Sequence, residues 1–251
     1  MENIKAISGF STDLPWRRQN KGTGDSTLPL VLDAIFVKRI PVWKRTFDIV
    51  GSLCGLILLS PLFLIVGIFI KTVSPGPMIF KQRRVGCGGM LFNCLKFRTM
   101  NANADANIHK KYLSELICNC KSNCDSGEPM EKLSRDPRII PLGKFLRASG
   151  LDELPQLINV LRGQMSLIGP RPPIPYEVEQ YQLWYKGRFD VVPGMTGLWQ
   201  ISGKNKLGFN EMIRLDIQYA MKRSFLLDMK ILLKTPCAIY LQLKEIKNGR
   251  S

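Results

Sequence analysis

Negative charge is in short supply in this chain. Asp and Glu number 20 against 36 Lys and Arg, which leaves a formal net charge of +16. A deficit of that size points to an anionic partner: nucleic acid, an anionic membrane surface or a phosphorylated substrate. A disulfide framework is also missing. The seven cysteines are odd in number, and Cys54 sits inside an apolar run. Cys118, Cys120 and Cys124 cluster downstream of His109, but no paired C-x-x-C knuckles occur, so a structural metal site is not expected there. Reduced thiols on a cytoplasmic surface fit this pattern better. No basic start leads into an apolar core with a small-residue cleavage site, so a cleavable secretory signal is not expected. Internal repeats and low-complexity tracts are absent as well. With 45% apolar and 22% charged residues, the composition excludes wholesale disorder.

What is present divides the 251 residues into three parts. Residues 1–37 are expected to form a loosely ordered arm with a short helix near Leu28–Val37. Residues 38–73 hold a segment foreign to ordinary soluble proteins, because Ile49–Ile70 carries no charge at all. At ~1.5 Å per residue, an unbroken helix of this length would just cross a hydrocarbon core of ~30 Å. Two features favour a helix that enters, bends and returns. Ser60-Pro61 falls at the midpoint, where proline removes a hydrogen bond and Ser60 can satisfy the carbonyl it frees. Basic residues also flank both ends: Lys38, Arg39, Lys44 and Arg45 before, Lys71, Lys81, Arg83 and Arg84 after. A full crossing would place one cluster on the non-cytoplasmic side.

Residues 74–251 are expected to form the remaining folded part of the chain. Ser74-Pro75-Gly76-Pro77 reads as a turn before two short strands, Met78–Phe80 and Leu91–Phe97, joined through Gly86-Cys87-Gly88-Gly89. Lys96 and Arg98 lie two apart around Phe97, share a face in an extended strand, and are candidates for binding an anion. A polar insertion covers about 101–134, with a helix near His109–Ile117. Asp136-Pro137-Arg138 follows, then a basic amphipathic piece, Leu142–Arg147. Farther on, Glu177–Arg188 reads as a helix bearing Tyr181, Trp184 and Tyr185, residues favoured at a membrane boundary. Pro193–Gln200 gives a glycine-rich loop where backbone could approach a ligand. The tail from Phe209 to Lys247 has the pattern of basic amphipathic helices that lie in a membrane interface, with a break near Pro236.

Ser149–Pro173 organises the rest. It opens on adjacent carboxylates, Asp152 and Glu153, and closes on Arg171 between prolines. Leu151, Leu154, Leu157, Ile158 and Leu161 recur at helical spacing, leaving Asp152, Glu153, Gln156 and Asn159 on a polar face. One reading makes Asp152 an ordinary helix N-cap, with Pro155 in the first turn. The other makes it a carboxylate pair facing a rigidly presented cation.

The motifs in order decide between them. The chain resembles the bacterial sugar transferases, monotopic polyprenyl-phosphate phosphoglycosyl transferases, over about Lys44–Leu233. The resemblance is carried by Ser60-Pro61, Phe80–Gly86, Lys96–Met100, Asp136-Pro137-Arg138, Leu151–Gln156, Met165–Pro172 and Pro193–Gly197. It implies transfer of a phosphosugar from a nucleotide diphosphosugar, usually a UDP-sugar, to a membrane polyprenyl (undecaprenyl) phosphate, with release of UMP. It implies Asp152 as the nucleophile that forms a covalent phosphosugar intermediate. Glu153 would activate the lipid phosphate or organise the site, and Mg²⁺ would be held by Asp152 and Glu153.

Lys96, Arg98, Arg147, Arg171 and Arg84 are the candidates for neutralising phosphate charge, on which such transfers depend. The expected fold is mainly α with a small β component: a re-entrant membrane helix kinked at Ser60-Pro61, interfacial amphipathic helices and a cytoplasmic catalytic domain. The expected setting is the bacterial inner membrane, at the start of a surface glycan such as an exopolysaccharide, capsule or O-antigen. Membrane lipids are expected partners, nucleic acid is not, and a homodimer is left open. The rival classes are a membrane-tethered nucleic-acid binder, which would show steep salt dependence, and a non-catalytic scaffold. Three departures from the family stand out, one of them the basic arm before Lys38, which the family does not share. Gly150 replaces a more usual Ser, which is expected to loosen the turn aiming the carboxylates, and the 101–134 insertion is long. Sugar specificity is expected around Gly197–Asn205 or in that insertion.

Overall fold

The computed structural model describes residues 39–100, 138–203 and 207–247. The expected arm, the Leu28–Val37 and His109–Ile117 helices, the Cys118–Cys124 cluster and Asp136-Pro137 lie outside the described residues. Within them the fold is mostly helical, with two small two-stranded sheets.

The apolar segment forms two helices, α1 (Val42–Leu58) and α2 (Ser60–Val73), bent by 61° at Leu59. The chemistry of the break follows from the sequence. Pro61 has no N–H to offer Ile57 O, and Ser60 Oγ donates to that carbonyl at 2.8 Å instead. No single helix among the described residues is long and apolar enough to cross a membrane, although the bent pair passes by length and composition.

Helix α1 is polar towards the protein and apolar away from it. Lys44, Asp48 and Ser52 recur every four residues and are all buried. Val42, Val50, Leu53, Ile57 and Leu58 are exposed on other faces. Asp48 Oδ1 accepts from Leu167 N and Ser166 Oγ, each at 2.9 Å. Arg45 donates to Val160 O and Leu161 O, both at 2.7 Å, and so satisfies the last carbonyls of a short helix. Lys44 and Arg45, counted above among the basic flanks of the apolar segment, are therefore structural anchors.

An antiparallel hairpin follows, β1 (Ile79–Val85) and β2 (Leu91–Phe97), with Phe80 opposite Lys96, Gln82 opposite Cys94 and Arg84 opposite Phe92. β1 is longer than the sequence pattern indicated, because its alternation continues through charged Lys81 and Arg83, both exposed. One face of the hairpin packs Phe97 on Val66 and Ile70 of α2, together with Ile140 and Leu146.

Helix α3 (Gly143–Ser149) ends on Gly150 at φ +73. A 3-10 turn over Leu151–Glu153 and helix α4 (Gln156–Leu161) come next. Strand β3 (Ser166–Ile168) pairs in parallel with β4 (Gly194–Thr196). Between them lie α5 (Pro175–Val178) and a 3-10 stretch, Leu183–Asp190, where one continuous helix was expected. Tyr185 there is fully buried and packs with Trp199, Phe209, Met212 and Ile213; Tyr181 and Trp184 pack against that cluster. These aromatics serve a core, and their reading as a membrane-boundary belt is corrected.

Helices α6 (Leu198–Ile201), α7 (Phe209–Lys222) and α8 (Phe225–Lys247) complete the chain. The tail is interrupted at Arg223-Ser224, while Pro236 lies within α8, so the expected break at Pro236 is not seen. Arg223 leaves the helical region (φ −50, ψ 122), and that conformation ends α7.

Candidate active site

The pocket-forming face of the hairpin is read directly from its register. Residues opposite one another share a face, so Arg84, Cys94 and Lys96 project to the same side. Against that side lie Glu153, Gln156, Arg171, Pro172, Gly194, Met195 and Gln200, enclosing about 260 Å³ that is partly open to solvent. Four of the residues expected at the site are thereby brought together: Arg84, Lys96, Glu153 and Arg171.

Their charges are unevenly matched. Lys96 Nζ lies 2.8 Å from Glu153 Oε1, at a partly exposed ion pair. Lys96 is thus already paired with the dyad. Arg84 is buried and donates to Gln82 Oε1 and to Pro172 O, both neutral groups, and it forms no direct ion pair among the described residues. Burial and the neighbouring Arg171 hold its pKa down at about 10. The Arg171 guanidinium makes no hydrogen bond or ion pair among the described residues. Two arginines that repel one another at a pocket wall form a site waiting for negative charge.

Arg171 is presented rather than free to wander. Arg188 donates to Arg171 O and to Tyr181 Oη, both at 2.7 Å, and pairs with Asp216. Burial pushes the Asp216 carboxyl up to about 7. Behind the loop, three glycines allow β3 and β4 to close. A Cβ on Gly194 would come within 2.0 Å of Gly169 N, one on Gly169 within 2.6 Å of Val192 O, and one on Gly197 within 2.4 Å of Gly169 O. The glycine-rich loop thus lets backbone approach backbone, while Gly194, Met195 and Gln200 of the same loop also line the pocket.

The other expected residues lie elsewhere. Asp152 is 7% exposed within the 3-10 turn, beside Glu153 but not on the pocket wall. It does not cap α4. Pro155 occupies that position without a side-chain cap, because the 3-10 turn intervenes between the dyad and the helix. Arg98 donates to Ser74 O and to Pro75 O and lies over Gly76, so it fastens the turn after α2. Arg147 Nε donates to Thr99 Oγ1 at 2.8 Å, tying α3 to the end of the hairpin. Neither lines the pocket, and the reading of Arg98 as an anion ligand is corrected by its carbonyl partners. Gly150 takes a left-handed conformation that costs glycine little, so it defines the turn rather than loosening it. Asn159 is buried, accepts from Leu95 N and donates to Asn93 O and Gln164 Oε1. Its place on a polar helix face is thus used to hold the edge of β2.

Comparison with known proteins places this geometry. Residues 39–242 match the family model described as bacterial sugar transferase. The chain belongs to that family. It is 40% identical over 198 residues to the exopolysaccharide production protein ExoY of Sinorhizobium fredii, covering 79% of this chain and 85% of the relative. It is 43% identical over 192 residues to the undecaprenyl-phosphate galactose phosphotransferase of Salmonella typhimurium, covering 76% of this chain and 39% of that longer protein. A third relative, the UDP-glucose:undecaprenyl-phosphate glucose-1-phosphate transferase of Caulobacter vibrioides, is 37% identical over 203 residues, covering 76% and 67%. Membership in the bacterial sugar transferases bears out the resemblance drawn from the motifs. The pocket also contains Cys94, which the motif reading passed over, and Gln156, Met195 and Gln200, which lay in the quoted motifs and the glycine-rich loop with no role of their own. Cys94 was legible in principle, since it alternates with Lys96 in the strand.

Proposed function

We propose that this bacterial sugar transferase moves a sugar phosphate from a UDP-sugar to undecaprenyl phosphate with release of UMP. The observation that carries the reading is the Arg84–Arg171 pair, two guanidinium groups without a direct ion-pair partner among the described residues, over a pocket that also holds one carboxylate of the dyad. A diphosphate supplies the negative charge those groups lack.

The chemistry follows in two displacements. A carboxylate oxygen of Asp152 attacks the sugar-linked phosphorus, the bond to the bridging oxygen breaks, and UMP leaves with the electron pair. An oxygen of the lipid phosphate then attacks the same phosphorus, restoring the carboxylate and forming the lipid diphosphate sugar. Arg84 and Arg171 neutralise the diphosphate through both steps. Lys96 holds Glu153 at the pocket wall, where it can orient the lipid phosphate.

No cluster of three metal-ligating side chains occurs among the described residues. Mg²⁺ is commonly held by one or two carboxylates plus substrate phosphates, so Asp152 and Glu153 fit that ion. When bound, it would screen the phosphate oxygens against the attacking carboxylate.

A re-entrant placement of α1 and α2 at the membrane has its own support. Both limbs of the bend attach to the same folded body: α1 through Lys44, Asp48 and Ser52, and α2 through Val66 and Ile70. Ile57, Leu58, Leu64 and Ile65 at the elbow remain exposed. An elbow dipped into the inner membrane from the cytoplasmic side would bring the pocket to a lipid phosphate. Cysteine-specific labelling of residues before α1 and after α2 should mark both ends from the same side; labelling from opposite sides would overturn this topology.

The reaction is tested with purified enzyme, undecaprenyl phosphate, Mg²⁺ and a panel of UDP-sugars. Wild type should release UMP. Asp152→Asn should release none and form no hydroxylamine-labile phosphosugar adduct. Full activity of that variant, with loss in Glu153→Gln instead, would transfer the nucleophile to Glu153, the carboxylate that lines the pocket.

A further inference from the structure

Gln200 has one end of its amide fixed and the other without a partner. Nε2 donates to Met195 O at 3.0 Å, which settles which atom is the oxygen. Oε1 is buried and has no hydrogen-bond partner among the described residues, yet Gln200 lines the pocket with Arg84, Arg171 and Glu153. Gly197 lies against this oxygen, and a Cβ there would press to within 2.9 Å of it. Buried amide oxygens normally have a partner, because an unmade hydrogen bond carries the cost of lost solvation. An orphan acceptor at a ligand site is therefore completed by a ligand.

Its chemistry limits what that ligand offers. Arg84 and Arg171 supply the donors that a phosphate needs, and a neutral carbonyl oxygen would repel phosphate oxygens. Gln200 Oε1 suits a neutral N–H or O–H. We infer that Gln200 is a binding and specificity residue for the donor substrate, accepting a hydrogen bond from a neutral donor group of the sugar nucleotide: a sugar hydroxyl or the imide N–H of the base. The inference rests on the UDP-sugar reading above. Gln200 orients the donor and takes no part in bond making.

Gln200→Met keeps length and apolar bulk while deleting the acceptor. In the UMP-release assay it should raise KM for the donor about 3- to 10-fold and leave kcat nearly unchanged, as loss of one neutral hydrogen bond predicts. Wild type assayed with a UDP-sugar methylated at the base N3, and with sugar-deoxy analogues, identifies the source. The analogue lacking the relevant donor should lose the same factor on wild type, and that loss should vanish on Gln200→Met because the two changes remove one interaction. If the base is the source, inhibition by UMP weakens in Gln200→Met as well; if the sugar is, it does not.

An unchanged KM in Gln200→Met, or analogue losses that simply add to the mutant's, would overturn the inference. The analogue comparison on wild type does not depend on how the variant folds. Wild type that releases UMP from no UDP-sugar would overturn the donor reading itself, and this inference with it.

Discussion

Lys44 Nζ lies 2.6 Å from Asp228 Oδ2, and neither side chain is more than 2% exposed. The pair joins the first helix of the apolar segment to the last helix of the chain. Around it, Lys44 also donates to Ile168 O, and the single Tyr219 Oη proton lies within reach of both Asp228 Oδ1 and Ile168 O. Removing one partner strands a buried charge, which costs about 3–5 kcal/mol. Lys44→Met or Asp228→Leu should therefore lower the unfolding midpoint sharply. The double variant should recover most of the loss, because no charge is stranded and Tyr219 keeps Ile168 O. A double variant as unstable as both singles combined would show that the pair does not act as a unit.

Gly194 is the tightest point behind the site, since its added Cβ would sit 2.0 Å from Gly169 N, a backbone atom with no room to yield. Gly194→Ala should cost about 1–3 kcal/mol or more and distort the loop carrying Arg171. Gly187→Ala meets only Ile217 side-chain atoms, at 3.5 Å or more, an ordinary contact. It should leave stability and activity close to wild type. Thermal unfolding of the two variants side by side checks the contrast.

The parts of this fold legible from sequence were those set by local chemistry. Ser60-Pro61 foretold the break in the apolar segment because proline's missing N–H is a property of one residue and its neighbours. The hairpin was legible from alternation and the glycine run. Long-range polar pairing was not. Lys44 looked like a flanking charge because its partner, Asp228, is far along the chain and has no pattern that announces burial. The site was legible as motifs but not as geometry. Lys96 and Arg98 have the same charge and adjacent places in the strand pattern, yet one pairs with Glu153 and the other fastens a turn. Gln200 was legible only as the end of the glycine-rich loop, and Asp216 lacked any signal, since a single carboxylate at helical spacing reads as a solvated face.

Arg171 is the most direct test of the phosphate site. Its loss removes a charged hydrogen-bond donor from the diphosphate, a contact worth about 1.5–3 kcal/mol. Arg171→Ala should reduce kcat/KM for the UDP-sugar by roughly 10- to 100-fold. Arg171→Lys should recover part of it, because a point charge replaces a bidentate fork. Thermal stability should change little, since the side chain bonds to nothing else among the described residues. Unchanged kinetics in Arg171→Ala would return this residue to a structural role and leave Arg84 as the sole anchor for the anion.

Behind Arg171, the Arg188–Asp216 pair sets a pH dependence. Burial raises the Asp216 pKa from its ordinary 3.8 to about 7 in the folded protein. Between those values the folded protein keeps a proton that the unfolded chain has lost. The contribution of this group is therefore full below pH 3.8 and declines as pH rises towards about 7, with no further change above it. Asp216→Asn cannot titrate, so its unfolding midpoint should lack that decline across the same window. The amide can still accept from Arg188, which keeps the Arg171 loop in place and separates the pH effect from a collapse of the site. Urea unfolding of both proteins over a pH series is the measurement. Parallel slopes in wild type and Asp216→Asn would show that Asp216 is ionised in the folded state throughout, held so by Arg188 against the cost of burial.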